Sequence, residues 1–151
     1  MQECYNLEDN ILDFRDLNGI RYHFKFKGTK TIVCGATATG KTLLCNKLLD
    51  IINDDNIGMK PYDASNIFIM TRENKKLLYE QRENLIIIDR AEMMLNDEDI
   101  EFINNDTSIN RYLIFARAPL GIYLSPNYFA EIICNGIELE IRYLFNERGW
   151  N

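Results

Sequence analysis

The segment from residue 31 to residue 49 constrains the fold of this chain more than any other. It reads TIVCGATATGKTLLCNKLL, so a short apolar run leads into a small-residue loop and then into a leucine-rich pattern. A continuous apolar run of this length is typical of a buried parallel strand. Leu43, Leu44 and Leu48 recur at helical spacing. We therefore expect a strand, a tight loop and a helix in that order.

The loop fits the pattern G-x-x-x-x-G-K-[ST] over residues 35–42, which binds phosphate when a strand precedes it and a helix follows. Glycines at both ends let the backbone close on a phosphate without a Cβ clash, and the small residues between them leave their N–H groups free to form an anion-binding nest. The helix that follows presents its positive end to the same phosphates. The residues expected to contact the nucleotide are Gly35, Ala36, Thr37, Ala38, Thr39, Gly40, Lys41, Thr42 and Leu43.

Lys41 and Thr42 define the expected cofactors. The Lys41 ammonium can reach the β- and γ-phosphates, and the Thr42 hydroxyl can ligate Mg²⁺. No N-K-x-D motif that would read guanine is present, because the segment ENKK lacks the final acid. The pattern therefore predicts binding of ATP with Mg²⁺.

Over residues 31–117 the chain resembles the P-loop NTPase superfamily, and within it the Walker A and Walker B ATPases that have an additional strand and a catalytic glutamate. The resemblance implies a magnesium-binding Asp at the end of a second buried strand, and Asp89 follows the apolar run LIII. It also implies a polar or cationic sensor near the γ-phosphate, for which Arg117 ends the run YLIFA. Thr42 and Asp89 are thus the expected metal ligands.

The catalytic glutamate departs from the pattern of these ATPases. The position directly after Asp89 is Arg90, and the next acid is Glu92. Glu92 is the preferred residue to polarise the attacking water, and Glu73 or no glutamate at all are the alternatives. Lys41, Glu92 and Arg117 are the expected catalytic residues.

Two further patterns lie on either side of the loop and its strands. Alternating runs flank Asn18–Gly19, and a second alternating pair flanks Asn135–Gly136, so that each is expected to form a β-hairpin. We expect one α/β P-loop nucleotide-binding domain over residues 1–151, with a mainly parallel sheet flanked by helices over 31–117. The hairpins would span residues 11–27 and 127–146.

Composition excludes several classes of function. The net charge of −6 argues against a general nucleic-acid surface, and no apolar stretch is long enough to span a bilayer. The start of the chain, MQECYNLEDN, is too acidic and polar for a signal peptide, which predicts a cytoplasmic protein.

We expect an Mg²⁺-dependent ATPase that acts as a motor or switch with a protein partner or a second copy of the chain. A small-molecule kinase that transfers the γ-phosphate and a regulatory subunit that binds the nucleotide without hydrolysing it are the alternatives. The order of the strands in the sheet distinguishes the ATPase from the small-molecule kinase. A strand between the loop strand and the strand before Asp89 favours the ATPase, and direct adjacency of those two strands favours the kinase.

Overall fold

The computed structural model describes residues 2–16, 18–34, 41–52, 62–106, 108–117, 121–122 and 129–144. Within them the chain forms strands β1 Gln2–Glu3, β2 Tyr5–Asn6, β3 Ile11–Arg15, β4 Arg21–Lys25, β5 Lys30–Cys34, β6 Tyr62–Asp63, β7 Ile67–Ile69, β8 Leu85–Ile88, β9 Arg111–Ala116, β10 Phe129–Asn135 and β11 Glu138–Tyr143. The helices are α1 Lys41–Ile52, α2 Ala91–Met94 and α3 Asp97–Asn105, with a 3₁₀ helix at Lys75–Glu80. None of these helices is long and apolar enough to cross a bilayer.

Nine strands form one mixed sheet in the order β2-β3-β4-β11-β10-β5-β9-β8-β7. Strands β5, β9, β8 and β7 are parallel to their neighbours and form what we name the parallel half. Strands β2, β3, β4, β11 and β10 form the hairpin half, where β3 pairs with β4 and β10 pairs with β11 in antiparallel register. The two halves meet where β10 runs parallel to β5.

The two ends of this sheet are drawn together. Strand β1, next to β2 in the chain, pairs with β6, which precedes β7. The Cys4 N–H donates to the carbonyl of Asp63 at 2.9 Å, and the Asn66 side-chain amide donates to the carbonyl of Tyr5 at 2.7 Å. The sheet is therefore nearly closed and resembles a barrel.

The expected fold class, a P-loop NTPase-like mainly parallel sheet flanked by helices, is wrong. The structure is rich in strands, and the described helices other than α1 are short. The hairpins are built into the sheet, because β11 pairs with β4 and β10 pairs with β5. The physical reason is that a hairpin beside a parallel sheet has unpaired backbone groups along its edge, and pairing these edges extends the sheet.

The interior of the curved sheet holds the larger core. Alternate residues of both halves point into it, including Phe14 and Tyr22 from the first hairpin and Leu113 from β9. Leu44 and Leu48 of α1 pack against these residues and are fully buried. Helix α1 therefore lies on the interior face of the sheet.

The outer face of the parallel half carries a second core. Ile86 of β8 and Ile114 of β9 lie beneath Leu78 of the 3₁₀ helix and Ile103 of α3. Because both faces of these strands are covered, β8 is a continuous apolar run. Polar groups of the parallel half are thereby confined to the strand ends.

Candidate functional site

Three neighbouring parallel strands end at the same edge of the sheet. Strand β9 lies between β5 and β8, and the register places Cys34 opposite Ala116. Because the carboxyl ends of parallel strands meet at one edge, these three strands end side by side. This edge is where the chain leaves β5 for residues 35–40, leaves β8 for Asp89 and leaves β9 for Arg117.

The phosphate-binding pattern lies between two described elements. Strand β5 ends at Cys34, and α1 begins at Lys41. Lys41, Thr42 and Leu43 therefore form the first turn of the helix. The other residues predicted to contact the nucleotide lie outside the described part of the chain: Gly35, Ala36, Thr37, Ala38, Thr39 and Gly40.

Asp89 is the first residue after β8 and is half-buried. Its carboxylate acts on Cys45, which lies in the second turn of α1 and is also buried. Burial, and after it the negative charge of Asp89, raise the pKa of the Cys45 thiol to about 12. The charge of Asp89 thus acts on the helix that follows the phosphate-binding pattern.

Glu92 and Arg117 are in direct contact. The backbone N–H of Arg117 donates to Oε2 of Glu92 at 3.1 Å, which links α2 to the end of β9. Both residues are exposed to solvent. An ionised carboxylate has about four acceptor sites, so this bond leaves Glu92 with capacity to hold a water molecule.

Arg90 has a left-handed backbone conformation between these acidic residues. Its φ and ψ are 52° and 53°, and it is the residue from which α2 starts. The left-handed region costs a non-glycine residue about 1 to 2 kcal/mol. This turn sets the direction of α2 and hence the place from which Glu92 reaches Arg117.

The alternative acid, Glu73, lies further from the phosphate-binding pattern. It is exposed in the turn that follows β7, and two strands separate β7 from β5 in the sheet. That turn is closed by Thr71 and Asn74, whose side chain accepts from the Thr71 N–H at 2.6 Å. Arg72 is exposed in the same turn. Of the two candidate glutamates, Glu92 is therefore the one that contacts another expected site residue.

Tyr22 and Phe24, the aromatic residues on β4 nearest to the Asn18–Gly19 turn, belong to the interior core. Both are fully buried, and the Tyr22 ring stacks on Phe14 with centroids 4.5 Å apart. A ring held in this way presents no free face to a ligand. The alternating pattern on β4 therefore reflects packing of the sheet.

The residues present suit a magnesium ion in donor type. Asp89 offers a carboxylate and Thr42 is a hydroxyl residue, and hard oxygen donors of this kind are what Mg²⁺ prefers, together with retained waters and phosphate oxygens. Among the described residues there is no group of three or more His, Cys, Asp or Glu placed to hold a metal ion. A magnesium site here would therefore depend on the nucleotide for part of its coordination.

The outer face of the hairpin half carries a charged cluster that was not predicted from the sequence. Arg21 donates from Nε and Nη2 to the carboxylate of Asp13 at 3.0 and 2.8 Å, and its Nη1 lies 3.1 Å from Glu138. His23 belongs to the same cluster, with its Nδ1 3.3 Å from Oδ2 of Asp13. The Asn18–Gly19 turn carries a signal for this cluster, because it sets a register in which Asp13 lies opposite His23.

Comparison with family models, with curated proteins and with solved structures gave no match. Neither this result nor the nearly closed mixed sheet supports the expected membership of the P-loop NTPase superfamily, which is contradicted. The function of this chain is accordingly inferred from its own residues.

Proposed function

We propose that this chain binds ATP with Mg²⁺ at the carboxyl edge of β5, β9 and β8 and hydrolyses it, acting as a switch or motor with a protein partner. The observation that carries the proposal is the convergence of four features on one edge. The start of α1, Asp89, Glu92 and Arg117 all follow from parallel strands that are neighbours in the sheet.

The proposal assigns binding to the start of α1. Backbone N–H groups at a helix start attract phosphate, and the Lys41 ammonium adds a charge-assisted hydrogen bond. The Thr42 hydroxyl and the Asp89 carboxylate would hold Mg²⁺, which balances charge on the β- and γ-phosphates when bound. Asp89 supports this role because its charge already acts on the second turn of the helix.

The proposal assigns hydrolysis to Glu92 and Arg117. Glu92 takes a proton from a water molecule whose oxygen forms a bond to the γ-phosphorus, while the bond to the β–γ bridging oxygen breaks and leaves ADP and inorganic phosphate. The guanidinium of Arg117 stabilises negative charge that develops on the γ-phosphoryl group. The hydrogen bond from the Arg117 N–H fixes Glu92 in position for this task.

Strand β9 lies between β5 and β8, but this order distinguishes an ATPase from a kinase only within the P-loop superfamily. Hydrolysis is preferred here because the Glu92 carboxylate, which accepts from the Arg117 N–H, is available to activate a water molecule. A second candidate function remains, because Arg90 occupies the position after Asp89 and Glu92 is engaged by Arg117. In this candidate the chain binds ATP as a switch without turning it over.

Nucleotide binding is tested by calorimetry with ATP and Mg²⁺ on wild type and on Lys41→Ala. Loss of one charge-assisted hydrogen bond is expected to weaken affinity by about 10- to 100-fold. Lys76→Ala, an exposed lysine in the 3₁₀ helix, is the matched control and should leave affinity unchanged. Equal uptake of ATP by wild type and Lys41→Ala, or none by either, would refute the proposal.

Hydrolysis is tested by phosphate release from wild type, Glu92→Gln and Glu73→Gln. Glutamine keeps an oxygen that can accept from the Arg117 N–H but cannot act as a base, so Glu92→Gln should lower kcat by about 10²- to 10⁴-fold. Glu73→Gln should match wild type. If wild type binds ATP but releases no phosphate, the second candidate function, a switch that binds ATP without hydrolysing it, is favoured over the ATPase.

Partner and compartment belong to the same proposal. Light scattering with and without ATP·Mg²⁺ tests assembly with a second copy, which should increase the measured mass when nucleotide is bound. The cytoplasm is the proposed compartment, since Cys4, Cys45 and Cys134 are free thiols and such thiols persist under reducing conditions.

A further inference from the structure

Helix α3 is connected to both of the segments that carry the residues assigned to hydrolysis. On the side of Glu92, α2 ends two residues before the capping box of α3 begins at Asn96. On the side of Arg117, the chain returns to the last turn of α3, where the Asn104 side-chain amide donates to the carbonyl of Gly121 at 3.1 Å. The helix therefore links two parts of the candidate site that come from different strands.

The start of α3 is fixed to the 3₁₀ helix. Asp99 accepts from the Asn96 N–H at 3.0 Å, and the Asn96 side chain accepts from the Asp99 N–H at 2.9 Å. The buried Asp99 carboxylate also pairs with Lys75 of the 3₁₀ helix at 2.9 Å. Charge-assisted bonds in a buried place hold their partners in one geometry. Because only Leu95 separates α2 from this cap, the start of α3 sets the place of α2 and of its Glu92.

The end of α3 holds the chain that follows Arg117. Ile122, next to Gly121, is 6% exposed and packs in the second core, to which Ile103 of α3 also belongs. Gly121 has a φ of 76°, a left-handed backbone that glycine adopts without steric cost. The hydrogen bond from Asn104 and the burial of Ile122 are thus two separate contacts that keep this segment on the helix.

The second core also reaches the two hydrolysis residues. Ala91 directly precedes Glu92, Ala116 directly precedes Arg117, and both alanines are buried in that core. The bond from the Arg117 N–H to Glu92 is itself exposed to solvent. An exposed hydrogen bond contributes little net free energy, because water can replace either partner. Its persistence therefore depends on how firmly the segments on its two sides are held.

We propose that Asn104 is a positioning residue of the candidate site, which holds Gly121 on α3 and so keeps the Arg117 N–H on the Glu92 carboxylate. Asn104 acts only through the segment that follows β9. Its effect on kcat rests on the hydrolysis proposed above. Its effect on the bond between Arg117 and Glu92 does not, so the two proposals can fail separately.

The effect on the bond is tested by amide hydrogen exchange at Arg117, measured by NMR on the full chain without nucleotide. Asn105→Ala is the matched control for Asn104→Ala, because the Asn105 side chain donates within the helix, to the Glu101 carbonyl at 2.9 Å. We expect the Arg117 N–H to exchange about fivefold faster in Asn104→Ala and at the wild-type rate in Asn105→Ala.

A second variant separates the hydrogen bond from packing. Asn104→Asp keeps the shape of the side chain but has no N–H to donate, so it should accelerate exchange at Arg117 as Asn104→Ala does. Wild-type exchange at Arg117 in both Asn104 variants would overturn the proposal. Equal acceleration in Asn104→Ala and Asn105→Ala would overturn it too, since it would reflect a general loosening of α3.

Phosphate release tests the consequence for the proposed hydrolysis. Asn104→Ala should lower kcat by about fivefold and leave the KM for ATP with Mg²⁺ nearly unchanged, because its effect falls on Arg117 and Glu92 and not on the start of α1. In a Glu92→Gln background the same substitution should have no further effect. A raised KM with unchanged kcat, or the full fivefold loss in that background, would contradict the assignment. If wild type releases no phosphate, the proposed hydrolysis fails, and the exchange rates still decide the role of Asn104.

Discussion

The two halves of the sheet differ in what covers their outer faces. The parallel half is covered by α3 and the 3₁₀ helix, so β8 and β9 are apolar on both faces. The hairpin half carries charged residues on the same side, as in the cluster around Arg21. Among the described residues, the difference shows where polar chemistry is available: the parallel half offers it mainly at strand ends, and the hairpin half offers it along its strands.

Two aspartates show how this difference changes a similar interaction. Asp99 is the N3 residue of the capping box of α3 and is only 1% exposed, with Lys75 at 2.9 Å and the Tyr79 hydroxyl donating at 2.5 Å. Asp13 pairs with Arg21 at 2.8 Å, but its side chain is 26% exposed. Water screens the Asp13 pair more than the Asp99 pair, because the Asp99 side chain is only 2% exposed. We therefore expect unequal contributions to stability from contacts of nearly equal length.

The largest expected effect comes from apolar truncation in the parallel half. Ile86→Ala removes a fully buried side chain beneath α3 and should lower the free energy of unfolding by about 3 to 4 kcal/mol. Ile133→Ala removes a half-buried side chain from the outer face of β10 and should cost less than about 1 kcal/mol. Urea unfolding measures both values. Equal losses of unfolding free energy in the two variants would show that covering the outer face by helices does not increase the contribution of its side chains to stability.

The next largest difference in stability is expected between variants of the two aspartates. Asp99→Asn should lower the free energy of unfolding by about 2 to 3 kcal/mol, because it leaves Lys75 and the Tyr79 hydroxyl with a weaker acceptor in a buried place. Asp13→Asn should cost about 0.5 to 1 kcal/mol, because solvent replaces much of the lost interaction. Chemical unfolding at neutral pH gives both values. A larger loss for Asp13→Asn would reverse the comparison.

The pH dependence of stability is a further test of the comparison between Asp99 and Asp13. Burial raises the pKa of Asp99, but hydrogen bonds from the Asn96 N–H, Tyr79 and Lys75 outweigh it and hold the pKa below the ordinary value of 3.8. The hydrogen bond from Arg21 lowers the pKa of Asp13. A lowered pKa in the folded state adds stability that is present above pH 3.8 and is lost as the pH falls through the folded value. Stability measured from pH 5 down to pH 2 should therefore fall, and less steeply in Asp99→Asn than in wild type.

The longer strands of both halves could be predicted from local pattern, but the short strand β2 and the assembly of the sheet could not. Alternation around Asn18–Gly19 specifies which residues of β3 and β4 face the interior, and the apolar run at residues 85–88 specifies a strand buried on both faces. Nothing local states that Glu138 pairs in register with Arg21. Such pairings join segments more than a hundred residues apart and depend on which sheet edges remain unpaired.

In the candidate site, too, the sequence predicts the position of some residues but not the contacts between them. The placement of Asp89 and Arg117 at strand ends follows from the sequence, because each ends an apolar run. The bond between Glu92 and the Arg117 N–H depends on the left-handed turn at Arg90, and no residue type at that position signals it. The hydrogen bond from the Asn104 side chain to the Gly121 carbonyl is a product of tertiary packing and has no sequence signature.

A smaller effect tests the charged cluster of the hairpin half directly. Arg21→Met keeps the aliphatic stem and removes the guanidinium, which should lower the free energy of unfolding by about 0.5 to 1 kcal/mol. The loss should shrink in 1 M salt, where the Debye length is about 3 Å. Lys25→Met, on the same face of β4, is the matched control and should change stability less. A loss that does not depend on salt would mean that packing, and not charge, holds this face together.

The smallest expected change in the free energy of unfolding comes from substitutions at the two ends of β8. Glu83 before the strand and Arg90 after it both have left-handed backbones, with φ of 57° and 52°. Glycine at either position relieves strain at some cost in chain entropy, so Glu83→Gly and Arg90→Gly should each raise the free energy of unfolding by about 0.5 kcal/mol. Their effects on the ATP hydrolysis proposed above should differ, because the Arg90 turn holds Glu92 against the Arg117 N–H and a glycine there loosens this contact. Phosphate release should therefore fall in Arg90→Gly and remain at the wild-type rate in Glu83→Gly, whereas equal rates in both variants would separate the strain at Arg90 from catalysis.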